Sequence, residues 1–344
     1  MEKDENSYYE KIEALYKRAY KVINSLILYS KRFCDYLATP DGLIEYLQCL
    51  SRGKGEKASK STYIYEFDYF VMTKSTKTLM AIRKLLDNNK SPMDEDIFIL
   101  IRSLLENYII SQYVRTSVCL NDIEIEKRVI SDFLINPYEI AMGYATKERK
   151  NGKHLIINDK EEILGKLITG PSSYVDEKER GYFRPLYAYL CKFSHCSFDV
   201  MHHYFESVNM SFSTEKVNSP FWTLICTLFV FTKLYENIVL EESEDLYNKK
   251  RCFNVLYDSW ELQLEMIQEH IKLFQSGYRD IDREFLSLII EKAPKDNYAQ
   301  ERINLALAME ADIIYGESSN VLKCYDKKLG LFERNCKYKE HHKG

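Results

Sequence analysis

Glycine and proline are scarce in this chain, with 12 Gly and 7 Pro in 344 residues. A turn-rich β fold needs many more breakers, so the scarcity points to helices. Long apolar runs are missing too. The longest, Phe221 to Thr232, is twelve residues and is closed by Lys233 and Glu236. A bilayer-spanning helix needs about 20 apolar residues, so this run reads as a buried core helix and no membrane segment is expected. Neither sign of charge dominates: 48 basic residues face 52 acidic ones, a net of −4. That balance excludes the overall electrostatic signature of a general nucleic-acid binder, while leaving room for a local basic groove.

The nine cysteines are scattered, odd in number and without a C-x-x-C pair. Most sit among apolar residues, where free Cys acts as a small hydrophobe, so free thiols, no bound zinc and a cytoplasmic setting are expected. The opening Met1-Glu-Lys-Asp-Glu-Asn6 is polar and does not read as a signal peptide. Tryptophan is rare, at two against 27 Tyr and 17 Phe, a bias that decides nothing about function. Enzyme signatures are missing as well: the sequence holds no G-x-G-x-x-G, Walker A, G-x-S-x-G or H-E-x-x-H.

What the chain does have is helical periodicity. Apolar steps of three and four mark a long helix over 8–37, ended by Thr39-Pro-Asp-Gly42, with a short helix near 43–50 and an exposed basic loop over 51–61. Helices follow at 65–87, from Pro92 to about Thr116 with Ser91 as N-cap, and over 121–147. Residues 148–175 are irregular, with a short helix near 160–168 and an extended piece at Leu155–Ile157. Further helices are expected at 176–192, 195–208, 220–241, 243–275, 279–291 and 296–314, with a polar turn at 211–219. A tail from Lys323 carries more basic than acidic residues and reads as a solvated end.

Two polar insertions interrupt strongly apolar helical sequence. Arg102 and Glu106 lie four apart inside Ile97–Ile110, so they share a face and can pair along the helix. That face is either a salt bridge on the wet side of the helix or a seam where Arg102 binds an anion such as phosphate. The second insertion is Ser194-His195, with Lys192 three residues before the His and Arg184 eleven before it. Histidine is the side chain best tuned for proton transfer near neutral pH, but it also serves as a core residue. Cys191, His195, Asp199 and His203 follow at steps of four. One ion cannot touch residues spread over three turns, so metal binding is not expected.

These two segments, Arg102-Ser-Leu-Leu-Glu106 and Lys192-Phe-Ser-His195, resemble an uncharacterised family of bacterial helical proteins. In that family an Arg-x-x-x-Glu helix precedes a helix carrying Ser and His. The arrangement is also similar to HEPN domains, helical bundles of toxins and phage-defence effectors. Ribonuclease members of that group place an Arg and a His four to six residues apart on one helix, usually in a dimer. The resemblance gives His195 the role of the catalytic His. The nearest upstream Arg, Arg184, lies too far away for the pattern, and Lys192 is the closest base.

The expected fold is all-α, about ten to twelve helices with a HEPN-like core. Segments 1–60 and 242–344 would be helical extensions around a central bundle over 61–241. The expected function is a HEPN-like defence or toxin effector that cleaves RNA without metal or cofactor. His195, Arg102, Glu106, Ser194 and Lys192 would form its site, in a homodimer or with a protein partner. The alternative is a non-catalytic helical sensor or adaptor that binds a protein.

Overall fold

The computed structural model describes residues 2–39, 61–86, 93–119, 123–150, 153–158, 160–166, 170–195, 198–206, 210–213, 220–240 and most of 251–269. The expected elements at 43–61 and beyond 275, and the N-cap role of Ser91, lie outside these residues. The described part is mostly helical, at 80%.

Helix α1 (Glu2–Leu37) buries Leu15, Ala19, Val22, Ile23 and Leu26, a stripe at steps of three and four. That stripe packs against α2 (Ser61–Leu86), whose own buried side carries Phe67, Val71, Leu79 and Ile82. The centre of the bundle is α3 (Asp94–Cys119), which touches α2, α4 (Ile123–Ile130), α6 (Arg180–Phe193) and α7 (Pro220–Tyr235). A helix enclosed on several sides has no wide polar face, and α3 accordingly buries Ile97, Phe98, Ile101, Leu104, Leu105 and Ile109. Each such side chain contributes about 1.5–3 kcal/mol when fully buried. Val255, Leu256, Trp260 and Met266 add to the same core, as do the buried residues of α1. Lys11 and Arg18 of α1 reach acids in that later stretch, Glu269 at 2.5 Å and Glu265 at 2.8 Å.

The run Phe221–Thr232 lies in the helix expected over 220–241, in which α7 continues through a π-helical turn at Glu236–Leu240. By length and composition two windows suffice to cross a membrane, Asp94–Ser117 and Trp222–Val239. In the bundle 56% of the first window and 89% of the second are buried.

The chain departs from the expected pattern between 131 and 213. The helix expected over 121–147 breaks into α4, a π-helical turn at Ser131–Ile135 and α5 (Asn136–Ala141). An antiparallel sheet follows, of β1 (Ala145–Lys150), β2 (Lys153–Asn158) and β3 (Ile163–Lys166) in that order. Ala145 pairs with Asn158, Lys150 with Lys153 and Leu155 with Lys166. The extended piece at Leu155–Ile157 is therefore the middle strand, and the helix expected near 160–168 is replaced by β3. A short 3-10 turn at Pro171–Tyr174 then leads into α6.

The helix expected over 195–208 is also absent. Helix α6 ends at Phe193, Ser194 caps it, and a 3-10 turn at Phe198–His203 leads into a hairpin of β4 (Phe205–Glu206) and β5 (Ser211–Phe212). The polar turn expected at 211–219 thus begins as a strand.

Candidate functional site

Helices α3 and α6 lie side by side, and the polar groups of both meet along their seam. Arg102 Nε donates to Glu106 Oε1 at 3.1 Å, the one-turn pair that the spacing predicts. Arg102 Nη1 donates across the seam to Ser194 Oγ. The hydroxyl of Ser194 in turn donates to the Cys191 carbonyl at 2.8 Å, a local bond natural to a serine at a helix end. Tyr187, two turns earlier on α6, donates its hydroxyl to the same Glu106 oxygen at 3.0 Å. Its ring lies beside the guanidinium, 5.6 Å from centroid to carbon, within cation–π range.

Arg102 and Glu106 keep 25% and 30% of their side-chain surface exposed, so the cluster borders solvent. Burial opposes the charge of Arg102. Tyr187, Cys191 and Glu106 outweigh it and raise the guanidinium above its ordinary value, so it stays a cation. Burial is also the main cause that pushes the Tyr187 phenol up to about 12, aided by the Glu106 carboxylate and opposed by the hydrogen bond with Arg102. A neutral donor and a fixed cation thus hold one carboxylate between them.

His195 stands immediately after Ser194, so their Cα atoms are about 3.8 Å apart, and its side chain is exposed. It makes no ion pair or hydrogen bond among the described residues, and Glu106 is engaged by Arg102 and Tyr187. Lys192 is likewise exposed. Arg184 Nε donates to the Ser172 carbonyl at 3.4 Å. Pro185 lies inside α6. Arg102, Glu106 and Ser194 therefore converge, while His195 and Lys192 are exposed and make no hydrogen bond or ion pair with them.

The four-step series Cys191, His195, Asp199, His203 does not share a helix face, because α6 stops at Phe193. His203 instead returns to α3, where Nδ1 faces Glu95 Oε1 at 3.3 Å. Its ring sits edge-on to Phe193 at 4.8 Å and to Phe98 at 6.3 Å. Among the described residues no group of three or more His, Cys, Asp and Glu could hold a metal ion. Cys34, Cys191, Cys226 and Cys252 are free thiols.

Sequence reasoning missed Tyr187. The signal was there: Tyr187, Cys191 and Ser194 are spaced four and three apart, the face that α6 must turn to its neighbour. It also missed a second polar cluster, fully enclosed, in which Lys233 of α7 meets Glu179 and Tyr108 donates to both carboxylate oxygens at 2.9 Å.

Compared with models of known protein families, with curated proteins and with solved structures, the chain matches none.

Proposed function

We propose that the protein is a HEPN-like helical effector of a bacterial defence or toxin system, acting on RNA in the cytoplasm. The observation that carries this reading is the hydrogen bond of a fixed cation to the residue that precedes an exposed histidine. Arg102 is held on Ser194, and the next residue, His195, is exposed to solvent. Phosphodiester cleavage needs both functions at one place.

In this reading Arg102 and Lys192 bind the scissile phosphate. His195 takes the proton of the ribose 2′-hydroxyl, and the 2′-oxygen attacks phosphorus. The P–O5′ bond breaks, and the leaving 5′-oxygen takes up the proton that His195 returns. The products are a 2′,3′-cyclic phosphate and a free 5′-hydroxyl. Glu106 and Tyr187 orient Arg102 without touching substrate. The central segment 61–241 carries the site within a bundle of about ten to twelve helices. A second copy of the chain would bring two such sites together.

A second reading, a non-catalytic adaptor, draws on one observation. Two of the guanidinium nitrogens of Arg102 already have partners inside the protein, Glu106 and Ser194. Such a pair can serve packing alone.

Expression of the wild type, His195→Ala and Arg102→Ala in bacteria, scored by growth and by the integrity of cellular RNA, separates the two. The effector reading expects toxicity and RNA breakage from the wild type and neither from the variants. Equal behaviour of all three, each being folded by circular dichroism, leaves the adaptor.

A further inference from the structure

In a chain whose acids outnumber its bases, one two-helix face carries bases alone. Residues 14–34 of α1 hold five Lys or Arg and no acid, and residues 69–86 of α2 hold four and no acid. Some of these are engaged. Arg18 binds Glu261 and Glu265, Lys74 donates to Asn107, and Lys17 pairs with Glu13 at 2.7 Å. Lys21, Lys31, Arg32, Lys77 and Lys84 are exposed. Lys21 acts on Asp258 across the surface, while the ammonium groups of Lys31, Lys77 and Lys84 have no ion-pair partner among the described residues.

Three ties show that α1 and α2 run antiparallel. Tyr20 donates to the Leu86 carbonyl at 3.0 Å, Arg83 Nε donates to Asn24 Oδ1 at 3.1 Å, and Cys34 is hydrogen-bonded to Thr73. That order sets Lys21 and Lys84 at one end of the face and Lys31, Arg32 and Lys77 at the other. Leu28, 47% exposed, and Met80, 37% exposed, fall between them. From Lys21 to Arg32 the helix rises about 16 Å. Along the same stretch α1 lines a cavity of about 460 Å³, with Lys17 and Lys21 at one end, then Asn24 and Ser25, and Leu28 at the other. Arg83 occupies Asn24 Oδ1, so the amide keeps its N–H donors. Cations and donors that give way to an aliphatic side chain suit a phosphate attached to hydrocarbon.

We propose that the α1–α2 face docks the protein on the surface of an anionic lipid bilayer, with Leu28 and Met80 entering the headgroup layer between the lysines. The contact is peripheral, spans nothing and does not depend on the RNA-directed reading. Charge complementarity selects a polyanionic partner, and each Lys or Arg close to an anionic membrane adds to the attraction. Four of the five exposed cations are lysines, a residue depleted from protein interfaces, which argues against a protein partner. Leu28 and Met80 disfavour a nucleic acid, whose interfaces are strongly polar, because two aliphatic side chains would stand among its phosphates. A bilayer surface accepts both features. Lysine stems lie along apolar groups while their ammonium heads stay at the phosphates, and the apolar side chains dip below them.

The test is flotation of the full-length protein with vesicles of phosphatidylcholine alone and of phosphatidylcholine mixed equally with phosphatidylglycerol. The protein should float with the mixed vesicles only. Salt at about 0.5 M should release most of it, since the Debye length is then about 4 Å. Lys21→Ala, Lys31→Ala, Lys77→Ala and Lys84→Ala should each lower the partition constant about fivefold, the share of one lysine at the surface. Leu28→Ala should lower it roughly three- to tenfold. Lys160→Ala, an exposed lysine between β2 and β3, should leave it unchanged. All six positions are exposed, and circular dichroism verifies that each variant is folded. No binding to either vesicle, equal binding to both, or anionic binding that the four lysine variants keep overturns the proposal. If Leu28→Ala binds as the wild type does, entry of the apolar pair into the headgroup layer is overturned. RNA binding or self-association that the lysine variants abolish, with the mixed vesicles ignored, overturns the proposal too and makes the face a contact for nucleic acid or protein.

Discussion

Lys233 sits inside the protein with its ammonium on the carboxylate of Glu179, and only 1% of its side chain reaches solvent. The rings of Phe183, Tyr108 and Phe229 surround the charge with centroids at 4.8, 5.1 and 5.9 Å. Glu179 stands at the start of α6 and makes no side-chain cap there. It reaches inward instead, so this pair fixes the beginning of the helix whose far end carries Ser194. Removing one partner strands a buried charge, which costs about 3–5 kcal/mol. Lys233→Met and Glu179→Gln should each lose that much in urea unfolding. The double variant should lose clearly less than the two combined, since neither charge is then left alone. Simple additivity would show that the pair does not interact.

Gly165 on β3 passes close over the turn that precedes α5. A Cβ built there would stand 2.6 Å from Asn136 Nδ2 and 3.2 Å from Asp132 Oδ1. Asn136 is buried, so its amide has little room to withdraw. Gly165→Ala is expected to destabilise by about 1–3 kcal/mol, the usual cost of overpacking. Adding Asn136→Ala should relieve part of that loss. Thermal unfolding of the three variants checks both statements, and an unchanged Gly165→Ala midpoint would refute the first.

The helices were legible because each carries its burial as a period. The steps Leu15, Ala19, Val22, Ile23, Leu26 on α1 are the buried residues themselves. In the sheet over 145–166 the apolar middle strand was legible at Leu155–Ile157, and the two outer strands were not, for the opposite reason. Among the described side chains of β1 Ala145 is buried while Thr146, Lys147 and Glu148 are exposed, and Ile163 opens β3 toward solvent. Those strands exist through backbone pairing and show no alternation to read. The dipeptide Asn151-Gly152, between the paired Lys150 and Lys153, was the usable hairpin signal. At the site, Arg102–Glu106 was legible because one-turn spacing on a helix leaves little choice. The placement of His195 was not: the end of a helix near 192 was legible, but the helix expected over 195–208 is replaced by a 3-10 turn at Phe198–His203 and a short hairpin. Lys233 misled for a different reason. A charge after an apolar run looks like its end, and only the distant Glu179 makes its burial tolerable.

The raised phenol of Tyr187 gives a pH signature. Its folded value of about 12 exceeds the ordinary 10, chiefly through burial. The fold therefore favours the neutral form. This contribution is complete below pH 10 and is lost as pH rises through 12. Wild type should lose more stability between pH 9 and pH 11 than Tyr187→Phe, which has no proton to release there. Urea midpoints of both proteins at the two pH values decide it. Equal losses would mean that Tyr187 does not sense Glu106 and the surrounding burial.

The site also predicts which substitutions touch the fold and which do not. His195 and Lys192 are exposed, so His195→Ala and Lys192→Ala should unfold within about 0.5 kcal/mol of the wild type. Arg102 differs, because it holds Glu106 on its own helix and Ser194 on the next. Arg102→Ala leaves both partners short of a donor in a half-buried seam and should cost about 1–3 kcal/mol. Arg102→Lys keeps the charge but cannot reach two partners with a planar fork, so it should recover only part of that loss. Ser194→Ala should cost about 0.5–1.5 kcal/mol for its two hydrogen bonds. Urea unfolding of the five variants gives the order directly. If His195→Ala proves as destabilising as Arg102→Ala, the imidazole is a structural group. Loss of RNA cleavage in His195→Ala could then no longer be assigned to chemistry.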